Sequence, residues 1–123
     1  MARILVLDDF QQMTSLLQRI LGEAGHQVTV ANTVSEALAA LGKSCTDLVV
    51  TDIFIPDQDG LAFIKELRAL YPTIKILAIS GGVGRFPADP YLLMAKYSGA
   101  QLTLPKPFEP AALLKSVSEL LCS

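Results

Sequence analysis

Residues 3–9 read Arg3-Ile4-Leu5-Val6-Leu7-Asp8-Asp9, an unbroken apolar run that stops at two adjacent carboxylates. Apolar residues in a row, without polar alternation, are what a strand buried on both faces requires. Directly after them Phe10, Met13, Leu17, Ile20 and Ala24 recur at three and four residues, the period of an amphipathic helix. A buried strand feeding a helix opens a βα unit, and the rest of the chain repeats that pattern.

Working outward, residues 27–31 form a second β-type run. It leads to Thr33-Val34-Ser35-Glu36, a capping box, with Val34, Ala37, Leu38 and Leu41 behind it and Gly42 as the expected stop. Residues 48–51 make a third run, followed by a loop and a helix from about Leu61 that Pro72 ends. A fourth run, 74–79, precedes a Gly/Pro-rich loop and a helix started by Asp89-Pro90. The fifth, 101–104, precedes a helix opened by Glu109-Pro110. Five consecutive βα units predict an α/β fold, a parallel sheet covered by helices on both faces.

Strand chemistry also predicts strand order. Ile4-Leu5-Val6-Leu7, Leu48-Val49-Val50 and Ile76-Leu77-Ala78-Ile79 lack alternation and belong in the middle. Val28-Thr29-Val30 and Leu102-Thr103-Leu104 alternate, which suits edges with one face partly wet. The result is a doubly wound, flavodoxin-like (βα)5 sheet of order 2-1-3-4-5, in which ligands bind beyond the carboxyl ends of the strands, at the switch point between strands 1 and 3.

Composition narrows the function. The 123 residues fit one domain, 51% of them apolar and 18% charged, so a folded soluble chain is expected. No apolar stretch is long enough for a membrane span, and the apolar start breaks at Asp8, too early for a signal peptide, so a cytoplasmic location is expected. With 10 basic against 12 acidic residues there is no basic stripe, which disfavours direct nucleic-acid binding. Cys45 and Cys122 match no metal or redox spacing and read as free thiols.

The strand ends carry the chemistry. Asp8 and Asp9 follow strand 1, Asp52 strand 3, Ser80 strand 4 and Lys106 strand 5. Each has a plain structural account: Asp9 as a helix cap, Asp52 as a turn former before Pro56 and Gly60, Ser80 as a loop residue, Lys106 as a solvated charge. Those accounts must all hold independently, whereas one crevice explains the set. Three carboxylates brought together repel, each pair by about 4 kcal/mol at 4 Å with an effective dielectric near 20. Such a cluster calls for a hard cation that keeps waters and shares a phosphate, and Mg²⁺ has that character. Lys106 then offers positive charge to phosphoryl oxygens, Ser80 a hydroxyl, and Asp52 a nucleophilic carboxylate. His26, the one histidine, sits in a helix-to-strand turn away from this crevice and reads as structural.

Asp8-Asp9, Asp52-Ile53-Phe54-Ile55-Pro56-Asp57-Gln58-Asp59-Gly60, Ser80-Gly81, Gly99-Ala100 and Lys106-Pro107-Phe108 together resemble the receiver domain of two-component response regulators, in its single-domain form, along the whole chain. The resemblance implies that Asp52 accepts a phosphoryl group from a histidine kinase or histidine phosphotransfer protein. It implies Mg²⁺ held by Asp9, Asp52 and the backbone carbonyl of Phe54, with Asp8 acting largely through water. It further implies a regulatory phosphoacceptor that catalyses its own phosphorylation and dephosphorylation, and a cis Lys106-Pro107 bond. Output would pass by protein contact, through the helix 4, strand 5 and helix 5 side that the family also uses for homodimers. Gln11, Gln12 and Ser15 on helix 1 would face the phosphodonor.

Two positions depart from the family. Thr103 stands where an inward-swinging Tyr or Phe is common, which shifts the expected output change to the 81–88 loop, with Arg85 and Phe86. Pro105 should stiffen the approach of Lys106. Alternatives are a degenerate receiver that binds partners without phosphorylation, which the complete acidic set opposes, and a small-phosphoester phosphatase. The haloacid dehalogenase type of phosphatase places its second Asp two residues after the nucleophile, where this chain has Phe54. A flavodoxin-type flavin protein would need a Ser/Thr/Gly phosphate cradle after strand 1.

Overall fold

The computed structural model describes residues 2–55, 58–80 and 89–122. Its strands are β1 (Arg3–Leu7), β2 (Gln27–Ala31), β3 (Leu48–Asp52), the two-residue β4 (Phe54–Ile55) and β5 (Gln58–Asp59), β6 (Lys75–Ser80) and β7 (Leu102–Pro105). The helices are α1 (Gln11–Glu23), α2 (Val34–Lys43), α3 (Gly60–Leu70), α4 (Asp89–Ser98) and α5 (Pro110–Leu121). Five strands form one parallel sheet in the order β2-β1-β3-β6-β7, which is the 2-1-3-4-5 order expected.

Successive side chains on a strand point to opposite faces, so the uninterrupted apolar runs serve two cores at once. Leu5, Leu7, Val49, Ile76 and Ala78 pack with Ala37, Leu41, Phe63, Ile64, Leu67 and Ala95, against α2, α3 and α4. Ile4, Val6, Leu48, Val50, Leu77 and Ile79 pack with Leu17, Leu21, Leu113, Val117 and Leu120, against α1 and α5. Central β3 is buried along its whole length, while edge strand β2 alternates between exposed and half-buried residues before closing on buried Ala31.

Several local expectations shift. The buried face of α1 is Thr14, Leu17 and Leu21, whereas Phe10 is 63% exposed and Ala24 is exposed, because both lie just outside the helix. Asp9 does not cap α1: Phe10 is the cap residue, and its amide donates to Asp8 Oδ1 at 2.9 Å. Gly42 does not end α2, which continues to Lys43 and is closed by an extended Ser44. The segment after Asp52, read as a plain loop, contains the antiparallel β4–β5 pair, and α3 starts at Gly60 with Asp59 Oδ1 accepting from Leu61 N at 2.9 Å. A Cβ at Gly60 would run into the carbonyl of Ile53, so only glycine lets α3 begin against the end of β3.

At the opposite end of the sheet, Arg68 of α3 spans three segments. Its Nη1 donates to the carbonyls of Pro72 and Ile74, and its Nη2 to the carbonyl of Gly99 and to Gln101 Oε1. Gly99 adopts φ +133° beside the Arg68 side chain, a conformation that favours glycine. Cys45 and Cys122 are exposed free thiols, as read from their spacing. Among the described residues no helix is long and apolar enough to cross a membrane.

Candidate functional site

Register explains why distant residues meet. Leu7 pairs with Thr51 across β1 and β3, and Asp52 pairs with Ile79 across β3 and β6, so Asp8 and Asp52 leave neighbouring strands at nearly the same level. One oxygen from each of Asp8, Asp9 and Asp52 lies within 4.8 Å of the others. Asp8 is fully buried, Asp52 is 5% exposed and Asp9 is only partly covered. The crevice thus has a closed floor and one carboxylate at its mouth.

Lys106 arrives from the far edge. Ser80 and Pro105 are register partners, but Pro105 has no N–H to give, and the last bond passes to the next residue: Lys106 N donates to the Ser80 carbonyl at 2.8 Å. The Lys106-Pro107 peptide is cis. The ammonium then bridges two acids, with Nζ 2.9 Å from Asp8 Oδ2 and 3.0 Å from Asp52 Oδ2. Burial works against the Lys106 charge, but hydrogen bonds and Coulomb attraction from Asp8 and Asp52 outweigh it and lift its pKa above the ordinary lysine value. Lys106 therefore stays cationic at neutral pH.

One ammonium does not balance three carboxylates. The Asp9 pKa is raised, chiefly by burial, with its hydrogen bond to Asp8 and the Asp8 charge adding to the rise against the opposing pull of its own backbone amide and of Lys106. A cluster of hard oxygen donors with surplus negative charge and one edge open to solvent has the donor chemistry of a small divalent cation that retains water.

The structure brings Asp8, Asp9, Asp52 and Lys106 into one group. Ser80 closes β6 with its side chain buried, and its carbonyl is tied to Lys106. The backbone of Phe54 lies two residues past Asp52, in β4 opposite Asp59. The 81–88 segment and its expected output role lie outside the described residues. His26 is structural: its Nδ1 accepts from Ala2 N at 3.2 Å, remote from the crevice.

One participant was not singled out from sequence. Asn32, at the end of β2, donates from Nδ2 to the Asp8 carbonyl at 2.9 Å. The capping box beside it is also offset. Thr33 Oγ1 accepts from Glu36 N at 3.1 Å as expected, but Glu36 Oε1 accepts from Asn32 N at 2.8 Å, one residue before the usual partner.

A doubly wound parallel sheet with an acidic crevice and a lysine at its carboxyl edge defines the class, and comparison with known proteins gives the family. The response regulator receiver domain family matches residues 4–118, and the chain belongs to it. Receiver domains of this family serve phosphorylation-dependent signalling in two-component systems. Among its relatives, the transcriptional regulatory protein CpxR of Klebsiella pneumoniae is 33% identical over 98% of this chain and 50% of its own length. The DNA-binding transcriptional regulator NtrC of Azospirillum brasilense is 30% identical over 99% of this chain and 24% of its own length. The chain therefore spans half or less of these relatives. A crystal structure of NtrX from Brucella abortus with ADP superposes with TM-score 0.90 at 31% identity, covering 98% of this chain and 27% of that one. The chemotaxis protein CheY4 of Vibrio cholerae superposes with TM-score 0.87 at 30% identity and is covered over 99% of its length.

Proposed function

We propose that the chain is a phosphorylation-activated signalling switch whose phosphoacceptor is Asp52, loaded in a Mg²⁺-dependent transfer from a histidine kinase or histidine phosphotransfer protein. The observation that carries this reading is the Lys106 ammonium within 3.0 Å of both Asp8 and Asp52, at the edge of a three-carboxylate cluster. Asp9, Asp52 and the backbone carbonyl of Phe54 are the ligands proposed for the ion, with Asp8 contributing through water. When bound, Mg²⁺ supplies positive charge that offsets the carboxylates and the phosphoryl oxygens.

The remaining steps belong to the protein. A carboxylate oxygen of Asp52 attacks phosphorus, forming the acyl phosphate as the bond from phosphorus to the donor's imidazole nitrogen breaks, with the electron pair leaving on that nitrogen. Lys106 moves from its bridge between the acids to the phosphoryl oxygens, keeping its proton. Ser80 donates a hydrogen bond from its hydroxyl to a phosphoryl oxygen, which brings the end of β6 toward the modified Asp52. Gln11, Gln12, Ser15, Leu16 and Arg19 line a hollow on α1, and exposed Phe10 stands between that helix and Asp9, so α1 is the proposed phosphodonor side.

Phosphorylation adds about one to two negative charges at the crevice. Output passes by protein contact in the cytoplasm, through the α4, β7 and α5 side, where Leu93, Met94 and Tyr97 are exposed and a second copy could also dock. Thr103 offers no ring to follow Ser80 inward, so the usual hydroxyl-to-aromatic coupling is not proposed for this chain. DNA binding, named for the Azospirillum relative, is not proposed for this chain.

Intact mass after incubation with Mg²⁺ and acetyl phosphate tests the reading. A single phospho-adduct that disappears in Asp52→Asn is expected. Catalytic turnover of general phosphoesters would instead favour a phosphatase, and the absence of any adduct a binding module that works without phosphorylation.

A further inference from the structure

We infer that Asn32 is a positioning residue for the acidic crevice, holding the peptide that joins Asp8 to Asp9 and so the direction in which the Asp9 carboxylate points; this rests on the phosphoacceptor reading above. The peptide unit is planar, so a hydrogen bond that fixes the Asp8 carbonyl also fixes the Asp9 N–H on the other side of the same plane. Asn32 Nδ2 makes that bond at 2.9 Å. The Asp8 side chain is held separately, with Oδ1 accepting from Phe10 N and Oδ2 from Lys106, both at 2.9 Å. Its amide donates to the Ala31 carbonyl at 3.3 Å. Asp9, partly exposed at the mouth, is held by its hydrogen bond to Asp8 and by its own backbone amide, and that amide belongs to the peptide Asn32 holds.

Asn32 can brace that peptide because it is itself braced. Its backbone N–H is held by Glu36 Oε1 at 2.8 Å. The Nδ2 group also approaches Thr14 Oγ1 at 3.5 Å, on the buried face of α1. Nothing in a helix cap requires an amide side chain at this position, since the bond to Glu36 uses only the backbone. What the amide adds is the link from the β2–α2 turn to the peptide between the two acids, the role that outer partners play around metal ligands.

The test compares Asn32→Ala with Thr33→Ala, which removes the cap bond to the Glu36 amide in the same turn but leaves the Asn32 amide, the Glu36 carboxylate and the bond to the Asp8 carbonyl in place. In magnesium-free protein, backbone amide exchange at Asp9 and Phe10 should quicken in Asn32→Ala and not in Thr33→Ala. By calorimetric titration with MgCl₂, Asn32→Ala should weaken Mg²⁺ binding by about tenfold, a size typical of lost outer-shell partners. Thr33→Ala should lower the melting temperature while leaving Mg²⁺ affinity close to that of the unmodified chain. Unchanged exchange and affinity in Asn32→Ala, or equal weakening in both variants, would overturn the inference. Unmodified protein that takes up no Mg²⁺ would overturn the phosphoacceptor reading instead, while the exchange comparison still decides whether Asn32 braces the peptide.

Discussion

The two ends of the sheet differ in what their polar side chains do. At the amino end a hollow of about 980 Å³ is lined by Leu41, Tyr71, Ile74 and Leu120 among others, and two of its polar side chains serve the backbone. Asp47 Oδ2 accepts from Arg3 N at 2.8 Å, and His26 Nδ1 accepts from Ala2 N at 3.2 Å. At the carboxyl end the crevice holds, among the described residues, three carboxylates against one ammonium, two of the acids buried. Buried charge left in excess is costly to keep, so it marks the carboxyl end as the candidate functional end, where the amino-end hollow carries no such excess.

Substitutions at the two ends should separate them sharply. Lys106→Met removes the ammonium that bridges Asp8 and Asp52 and should destabilise the metal-free protein by about 3 kcal/mol at neutral pH, as measured by urea unfolding, because two buried carboxylates lose its charge. Asp47→Ala, at the amino end, forfeits one exposed bond to a backbone amide and should cost only about 1 kcal/mol, with Mg²⁺ affinity unaltered.

Titration sharpens the contrast. Because the folded-state pKa of Lys106 is raised, its contribution to stability is complete below the unfolded lysine value and is lost as pH rises through the higher folded value. Unfolding midpoints should therefore fall in the alkaline range above pH 10.5, and Lys106→Met should lose that limb. Asp9 works in the opposite sense to an ordinary paired acid. Its folded pKa is raised, so the proton it holds favours the fold at acid pH, and that contribution is lost as pH climbs from 3.8 through the folded value. Asp9→Asn should accordingly raise the metal-free melting temperature at pH 7 by about 2 °C, a gain that fades on acidification. Cys45→Ser, on the exposed rim of the amino-end hollow, should change stability by less than about 0.5 kcal/mol in the same unfolding assay.

What could be read in the sequence followed from local chemistry. Unalternated runs placed β1, β3 and β6 at the centre, and alternation placed β2 and β7 at the edges. Asp8, Asp9, Asp52 and Lys106 were legible because strand ends in a parallel sheet share one edge. Phe10 and Ala24 misled because helical period alone does not say where the helix begins and ends. Gly42 misled because a glycine tolerated inside the last turn looks the same in sequence as one that ends it. Asn32 and Arg68 were invisible for a different reason: each acts on backbone carbonyls that only folding brings near. A polar residue before a capping box reads as solvent-facing until its partner is known.

The most direct test of the charge imbalance is calorimetric melting of Asp52→Asn beside the unmodified chain, with and without Mg²⁺. Removing one carboxylate should raise the metal-free midpoint by roughly 3–6 °C, about 1 kcal/mol of relief in a domain of this size, and should abolish most of the stabilisation that Mg²⁺ gives the unmodified chain. A variant that melts lower without metal, together with an undiminished Mg²⁺ response, would contradict the account.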